Sequence, residues 1–171
     1  MYTAIIAPFV LWAIFTGLAY QAYSQSKNSK SSTNHLAMIT TDQVYLTAHF
    51  GFSQAIISDG IIYTSGQVGW DKNYILPKET GNTSYFEAQV RQSFLNVEQI
   101  LKAGNSGMSQ VIMLRFFVKD LDDAKRIIIG RFLKNIYPTH YKPATSLIGV
   151  AQLAQKGLFI EIEAIAKTKN H

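Results

Sequence analysis

The sequence predicts an α+β domain in which two helices pack on one face of a six-stranded sheet, in the order β-β-β-α-β-α-β-β. Three features support this fold. Short β-rich runs divided by turn residues open the domain, apolar residues at helical spacing follow, and two strands end it. A sheet that carries its helices on one side is typical of the α+β class.

The first three strands form a predicted antiparallel meander. Residues 44–50 are predicted as the first strand, and a turn at Gly51 leads to the second strand, residues 53–58. Asp59 and Gly60 are typical of a tight hairpin turn, and they lead into a third strand that starts at Ile61.

The first helix is predicted over residues 85–103, with Ser84 and Glu87 as a capping box and Gly104 at its end. Its apolar stripe is Phe86, Val90, Phe94, Val97 and Leu101. A central strand over residues 110–120 follows, and Asp120 is predicted to cap the second helix. The buried stripe of this second helix is predicted to be Ala124, Ile128, Phe132 and Ile136.

The last two strands are predicted over residues 144–150 and 158–167, and the second of them alternates with period two. One face is apolar, whereas Glu161 and Glu163 lie on the other. Carboxylates in the middle of an apolar strand need a solvated edge, a partner or a function, since a buried unpaired charge is unfavourable.

Composition limits the function classes. The chain has 171 residues and a net charge of +5 that is spread without a basic run, so no nucleic-acid partner is expected. It has no cysteine, which excludes disulfides, thiol nucleophiles and thiolate metal sites. The histidines and acids show no metal-ligand spacing, and no serine lies in a G-x-S-x-G turn, so no metal site or Ser–His–Asp triad is predicted.

The first 41 residues differ in composition from the domain. Residues 1–22 are almost continuously apolar, so residues 1–23 are predicted as a membrane anchor or a signal segment, and residues 24–41 as a Ser/Asn/Lys-rich flexible tether. The protein is therefore expected to be membrane-anchored or exported, with the side of the membrane left open. Residues 42–169 are predicted as the folded domain.

Six motifs occur in one order along the domain: FSQAI (52–56), YTSGQ (63–67), QVRQSFLNVEQIL (89–101), FFVKDL (116–121), PATS (143–146) and IEIEAIA (160–166). Together they resemble the reactive-intermediate deaminase (RidA) family, also called YjgF or L-PSP endoribonuclease-like. The resemblance implies a chorismate-mutase-like fold, a homotrimer with a cleft between subunits, and cofactor-independent hydrolysis of reactive imines and enamines to 2-oxo acids and ammonia.

Carried over by motif, the resemblance makes Glu161 the catalytic carboxylate that positions or activates water. Ser65 and Gly66 match the SGQ position of the cleft, and Phe52 stands where the family has a Tyr. Thr145 replaces the Arg that holds the substrate carboxylate in the family, and one hydroxyl does not reproduce a bidentate guanidinium pair. The Asn position of the second helix corresponds to Ile128, and Lys142 and Arg115 are candidate substitutes for the Arg.

Three functions follow from these residues. The first is a deaminase that acts on small imine or enamine metabolites through Glu161. The second is a trimeric, non-catalytic module that binds a small molecule in the same cleft. An RNA-cleaving role, suggested by the family's alternative name, is disfavoured because the domain has no basic, aromatic-rich surface.

Overall fold

The structure, a computed structural model, describes residues 36–169. Two helices cover the sheet: α1 is Tyr85–Ala103 and α2 is Asp123–Ile136. Strand β5 (Val111–Lys119) lies between the two helices in the chain, and β6 (Ala144–Val150) and β7 (Ile160–Lys167) follow α2. The preceding strands are β1 (Ala37–Ile39), β2 (Ala55–Ser58), β3 (Ile61–Thr64) and β4 (Gln67–Val68).

The sheet has the order β1-β2-β3-β7-β5-β6, and β4 also pairs with β7. Strands β3 and β4 lie on the same side of β7, opposite residues 165–167 and 161–162 respectively, so seven strands occupy six positions across the sheet. All pairings are antiparallel except β5 with β6. The predicted α+β class is confirmed, and the sheet predicted with six strands has seven because β3 and β4 are separate strands.

The predicted first strand is wrong. Residues 44–47 form no strand, and Ala48–Phe50 is a 3-10 turn. The side chain of Gln54 replaces sheet pairing here, because its Nε2 donates to the carbonyls of Tyr45 (2.9 Å) and Thr41 (3.0 Å). The first position of the sheet is instead taken by β1, which lies within the stretch predicted as a tether.

The first helix agrees with its prediction at both ends. Ser84 Oγ accepts from the Glu87 amide at 3.2 Å, and the Gly104 amide bonds back to the last turn. The second helix differs, since its N-cap is Asp122, which accepts from the Lys125 amide at 2.7 Å, and not Asp120. In its predicted stripe Ala124 is exposed and the other three residues are half-buried. Ile129, which lies outside that stripe, is the one residue of α2 that is fully buried.

Among residues 36–169, no helix is long and apolar enough to cross a membrane. The apolar segment of residues 1–22, predicted as an anchor or signal, lies outside the described residues, as does most of the predicted tether.

Helix α2 contains an internal glycine, Gly130, whose added Cβ would meet no heavy atom within 4 Å. We expect Gly130→Ala to raise the free energy of unfolding by about 0.5–1 kcal/mol, because Ala loses less backbone entropy than Gly on forming a helix. Urea unfolding followed by circular dichroism measures the change. A loss of stability would show that the space around Gly130 is filled.

Candidate functional site

Strand β7 places Glu161 on the sheet face opposite the core. Its alternate residues Ile160, Ile162, Ala164 and Ala166 are at most 1% exposed, whereas Glu161 and Glu163 are only half-buried. The predicted alternation is therefore confirmed. Because neighbouring strand residues point to opposite faces, burial of the first set holds both carboxylates on the second face.

Glu161 lies in a pocket of about 200 Å³ that we call the Glu161 pocket. Strands β4 and β7, the segment before β2 and the loop before β7 supply its walls. The ten residues that line it are Tyr45, Phe50, Phe52, Gly66, Val68, Trp70, Ala154, Gln155, Leu158 and Glu161.

The backbone at Gly66 touches the Glu161 carboxyl group. A Cβ added at Gly66 would lie 1.7 Å from Glu161 Oε1, so any side chain at this position would displace the carboxylate. The contact lies in the short break between strands β3 and β4, which consists of Ser65 and Gly66. Ser65 is held outside the pocket lining, and its hydroxyl donates to the Ser53 carbonyl at 2.6 Å.

Tyr45 holds the Gly66 backbone in this contact. Its hydroxyl accepts from the Val68 amide at 3.2 Å and donates to the Gly66 carbonyl at 3.3 Å. Burial raises the pKa of Tyr45 to about 12, and the negative charge of Glu161 adds to that shift although the Val68 amide opposes it. Tyr45 is therefore a neutral phenol at ordinary pH, and its hydrogen bonds hold the Gly66 backbone against Glu161.

Aromatic rings form most of the remaining wall. Tyr45 and Trp70 meet edge to face at 5.3 Å between ring centroids, and Phe50 and Phe52 stack at 6.0 Å. Tyr74 contacts Trp70 from behind at 5.8 Å, and it donates a 2.6 Å hydrogen bond to the Leu46 carbonyl. The pocket thus combines an aromatic wall with a carboxylate.

Two buried amide side chains of α1 position the pocket loops. Asn96 is 1% exposed and donates to the carbonyls of Val68 (3.0 Å) and Trp70 (2.8 Å). Gln89 is fully buried, donates to the Gly157 carbonyl at 2.9 Å and accepts from the Phe159 amide at 3.0 Å. Buried backbone groups need such partners, so α1 determines where both loops run.

Gln54 plays the same part for the segment before β2. It is fully buried, and besides its bonds to the Thr41 and Tyr45 carbonyls it accepts from the Thr41 amide at 2.7 Å. These bonds hold Tyr45 in place without sheet pairing.

The charge on Glu161 is disfavoured by its surroundings. Burial raises the pKa of Glu161, and repulsion from Glu163 raises it further. Glu163 itself pairs with Arg115 at 3.3 Å, whereas none of the described residues forms a hydrogen bond or ion pair with the Glu161 carboxylate. Within residues 36–169, no cluster of three or more His, Cys, Asp or Glu side chains could hold a metal ion.

The predicted site residues do not all meet. Phe52, Gly66 and Glu161 line one pocket, and Ser65 lies next to it. Thr145 lies elsewhere, on strand β6 at the edge of the sheet, where it lines a separate depression with Tyr137 and Lys142. Within this chain, Thr145, which the motif resemblance places at the family's Arg position, is therefore not part of the Glu161 pocket.

The candidate substitutes for that Arg are occupied elsewhere. Lys142 Nζ donates to the carbonyls of Tyr137 and Thr139. Arg115 pairs with Glu163 on the open face of the sheet. Neither side chain lines the Glu161 pocket.

Comparison with known proteins identifies the family. The model of the family described as endoribonuclease L-PSP matches residues 43–168. The chain belongs to this family. It is 32% identical over 120 residues to the 2-iminobutanoate/2-iminopropanoate deaminase of Rattus norvegicus, which covers 67% of this chain and 78% of the relative.

Two further relatives show how far the likeness extends. Protein mmf1, mitochondrial, of Schizosaccharomyces pombe is 30% identical over 117 residues, which cover 67% of either chain. The crystal structure of yeast Mmf1 superposes with a TM-score of 0.68 at 26% identity, over 78% of this chain and 99% of that one. The family that the motifs resembled is thus confirmed in sequence and in fold.

The predicted localisation, membrane-anchored or exported, is contradicted. The relatives in the family include a protein with a mitochondrial name. The predicted membrane partner is not supported by the comparisons.

Sequence reasoning missed seven of the ten residues that line the Glu161 pocket. Tyr45 and Phe50 are predicted to lie in a strand and Trp70 is given no role, so the sequence does not predict that these rings converge on Glu161. The density of aromatic residues on both sides of the FSQAI motif was the available signal. Periodicity gave no help, because these rings are brought together by hydrogen bonds between segments distant in sequence.

We expect Glu161→Gln to stabilise the protein at neutral pH. A carboxyl group with a raised pKa in the folded state favours folding most when it is protonated. Its contribution is fully present below its unfolded pKa of about 4.3 and is lost as the pH rises through the folded pKa. The melting temperature of the variant should therefore exceed that of the wild type at pH 7.5, and the difference should shrink towards pH 4.

The matched control is Glu163→Gln, which removes the neighbouring carboxylate on the same face of β7. Because Glu163 has an ion-pair partner in Arg115, this variant should not gain stability at pH 7.5. An equal rise of the melting temperature in the two variants would contradict an unfavourable charge that is specific to Glu161.

Proposed function

We propose that the protein hydrolyses the C=N bond of small imines, and of their enamine tautomers, with Glu161 as the base. The observation that carries the proposal is a carboxylate with a raised pKa, lodged against a glycine in a small pocket and free of any ion-pair partner among the described residues. Membership of the family and the printed name of the rat relative, a 2-iminobutanoate/2-iminopropanoate deaminase, support the same chemistry.

The reaction needs water and no other reactant. Glu161 takes a proton from a water molecule as its oxygen bonds to the imine carbon, and the π electrons of C=N move to nitrogen. The carboxyl group then returns the proton to nitrogen, which gives a carbinolamine. In a second transfer Glu161 takes the hydroxyl proton and delivers it to nitrogen as the C–N bond breaks, so a carbonyl compound and ammonia leave. A raised pKa suits this exchange, because general catalysis is most efficient when the pKa of the group is close to the working pH.

We propose further that the working cleft forms between subunits of a homotrimer. Thr145 and Glu161 are separated within one chain, and a neighbouring subunit could bring an edge strand β6 to the mouth of the pocket. The open face of the sheet supports assembly, because large apolar side chains on it are exposed to solvent: Met38 by 76%, Tyr63 by 47% and Ile148 by 41%. Faces of this kind are typical of protein interfaces.

A second candidate is a trimeric module that binds a small molecule without reaction. One observation favours it: no lysine, arginine or histidine of the described residues lines the Glu161 pocket, and Thr145 occupies the family's Arg position. A 2-imino acid would therefore find no cation within the subunit to hold its carboxylate.

We expect Glu161→Gln to lower turnover of imines by about 100-fold or more, since loss of a general base typically costs 10²–10⁴-fold. Gly66→Ala should cause a loss on the order of 100-fold, because the new methyl group displaces the carboxylate. Two imines are generated in situ: 2-iminobutanoate, and benzaldimine from benzylamine and a flavin amine oxidase. Ammonia release is followed with each.

Gly130→Ala is the control for the second variant, because it adds the same methyl group in open space on α2 and should keep full activity. Light scattering on the same samples reports whether each variant keeps the assembly state of the wild type. If neither imine is turned over faster than in buffer, hydrolysis is rejected and the binding module remains. If Glu161→Gln retains full activity, Glu161 is not the base.

The pH dependence provides a separate prediction. Activity requires ionised Glu161, so kcat/KM should fall as the pH drops through its raised pKa. Glu163→Gln should shift this acid limb to lower pH, because it removes the repulsion from Glu163 and leaves the Arg115 cation unpaired, and both changes lower the pKa of Glu161.

The control for the pH profile is Glu98→Gln, which removes a carboxylate paired with Lys102 on α1, outside the pocket. Its pH profile should match that of the wild type. A shift of the acid limb to higher pH in Glu163→Gln would contradict Glu161 as the titrating group.

A further inference from the structure

The Glu161 pocket combines one negative charge with an aromatic wall. Of its ten lining residues Glu161 is the one that carries a charge, and four are aromatic: Tyr45, Phe50, Phe52 and Trp70. Aromatic faces and carboxylates both attract cations, and the attraction grows as water is excluded. The lining therefore favours a positively charged, flat ligand.

The two hydroxyl groups near the Glu161 carboxylate are already engaged in hydrogen bonds. The Tyr45 hydroxyl lies between the Gly66 carbonyl and the Val68 amide, and the Ser65 hydroxyl donates to the Ser53 carbonyl. Gln155 lines the pocket from an exposed loop, and its side chain is an uncharged amide. An incoming carboxylate would find no charged donor and would be repelled by Glu161, and an unpaired buried charge is strongly unfavourable.

We propose that this pocket binds a protonated imine or amine that carries an aryl or similarly flat apolar group, and that it selects against a carboxylate beside the reacting carbon. The proposal rests on the proposed hydrolysis for its reaction, whereas the charge preference rests on the part of the lining that one subunit supplies. In the reaction the ligand is R₂C=NH₂⁺, which with one water gives R₂C=O and NH₄⁺, so atoms and charge balance.

The size of the pocket limits the ligand to about one ring. Its volume of about 200 Å³ is below that of pockets that take drug-sized molecules, which is roughly 300–1,000 Å³. Benzylammonium, with one ring and one cationic nitrogen, is a suitable probe. Benzyl alcohol and phenylacetate have the same ring with a neutral and an anionic group.

The test measures the binding of these three probes to the full-length protein. Trp70 lines the pocket, so its fluorescence reports occupancy, and Trp70→Phe identifies the part of the signal that comes from this residue. Isothermal titration calorimetry provides the dissociation constants independently. We expect benzylammonium to bind at least about tenfold more tightly than phenylacetate, with benzyl alcohol between them.

Glu161→Gln should abolish the preference for benzylammonium over benzyl alcohol and leave the affinity for benzyl alcohol within about threefold, because only the charge is removed. Glu98→Gln removes an equal charge from α1 outside the pocket and should keep the full preference. Phenylacetate bound as tightly as benzylammonium, or an unchanged preference in Glu161→Gln, would overturn the proposal.

The outcomes separate this proposal from the proposed hydrolysis. A cation preference that depends on Glu161, without turnover of either imine, rejects hydrolysis and supports the charge preference. Turnover of 2-iminobutanoate in excess of benzaldimine, together with tight binding of phenylacetate, retains hydrolysis and overturns the charge preference. Faster turnover of benzaldimine together with tighter binding of benzylammonium supports both.

Discussion

The position of the site depends on the alternation of one central strand. Strand β7 pairs with β3 and β4 on one side and with β5 on the other, and its inward residues are almost completely buried. A slip of one residue would expose four apolar side chains and bury two carboxylates, so the register is strongly fixed. Glu161 is consequently held on the open face by the packing of Ile160 and Ile162, which take no part in the chemistry.

Packing against α1 extends this constraint to the loops. The helix buries Gln89 and Asn96 beside its apolar stripe, and both amides satisfy loop backbone that forms no sheet pairing. A buried amide left without its partners destabilises by about 1–3 kcal/mol. The loops that carry Trp70 and Leu158 are therefore as closely determined as the core, and Glu161 is brought against Gly66 with its charge uncompensated.

The sequence is informative where structure follows a local period. Helix α1, the alternation of β7 and the helices on one face were predictable because each element repeats its pattern over several turns or residue pairs. Phe52, Gly66 and Glu161 were found through motifs, and they do share a pocket. The first strand was misplaced because residues 44–50 have β-type composition but are held by the Gln54 side chain. Thr145 is predicted to share an intersubunit cleft with Glu161; within one chain its strand lies at the far edge of the sheet, where Thr145 lines a depression with residues of α2.

The residues that hold the pocket loops differ from most of the residues that line the pocket, and this difference explains how ligand preference can change within one family fold. Gln54, Gln89 and Asn96 bond to loop backbone, and backbone groups are the same whatever side chain the loop carries. The rings of Phe50 and Trp70 are attached to those loops, so these two side chains can be replaced without loss of the bonds that hold the loops. Glu161 lacks this freedom, since it is held by the register of β7 and by contact with Gly66. A fixed carboxylate with a replaceable lining allows the charge and shape of the ligand to change while the group that handles protons stays in place.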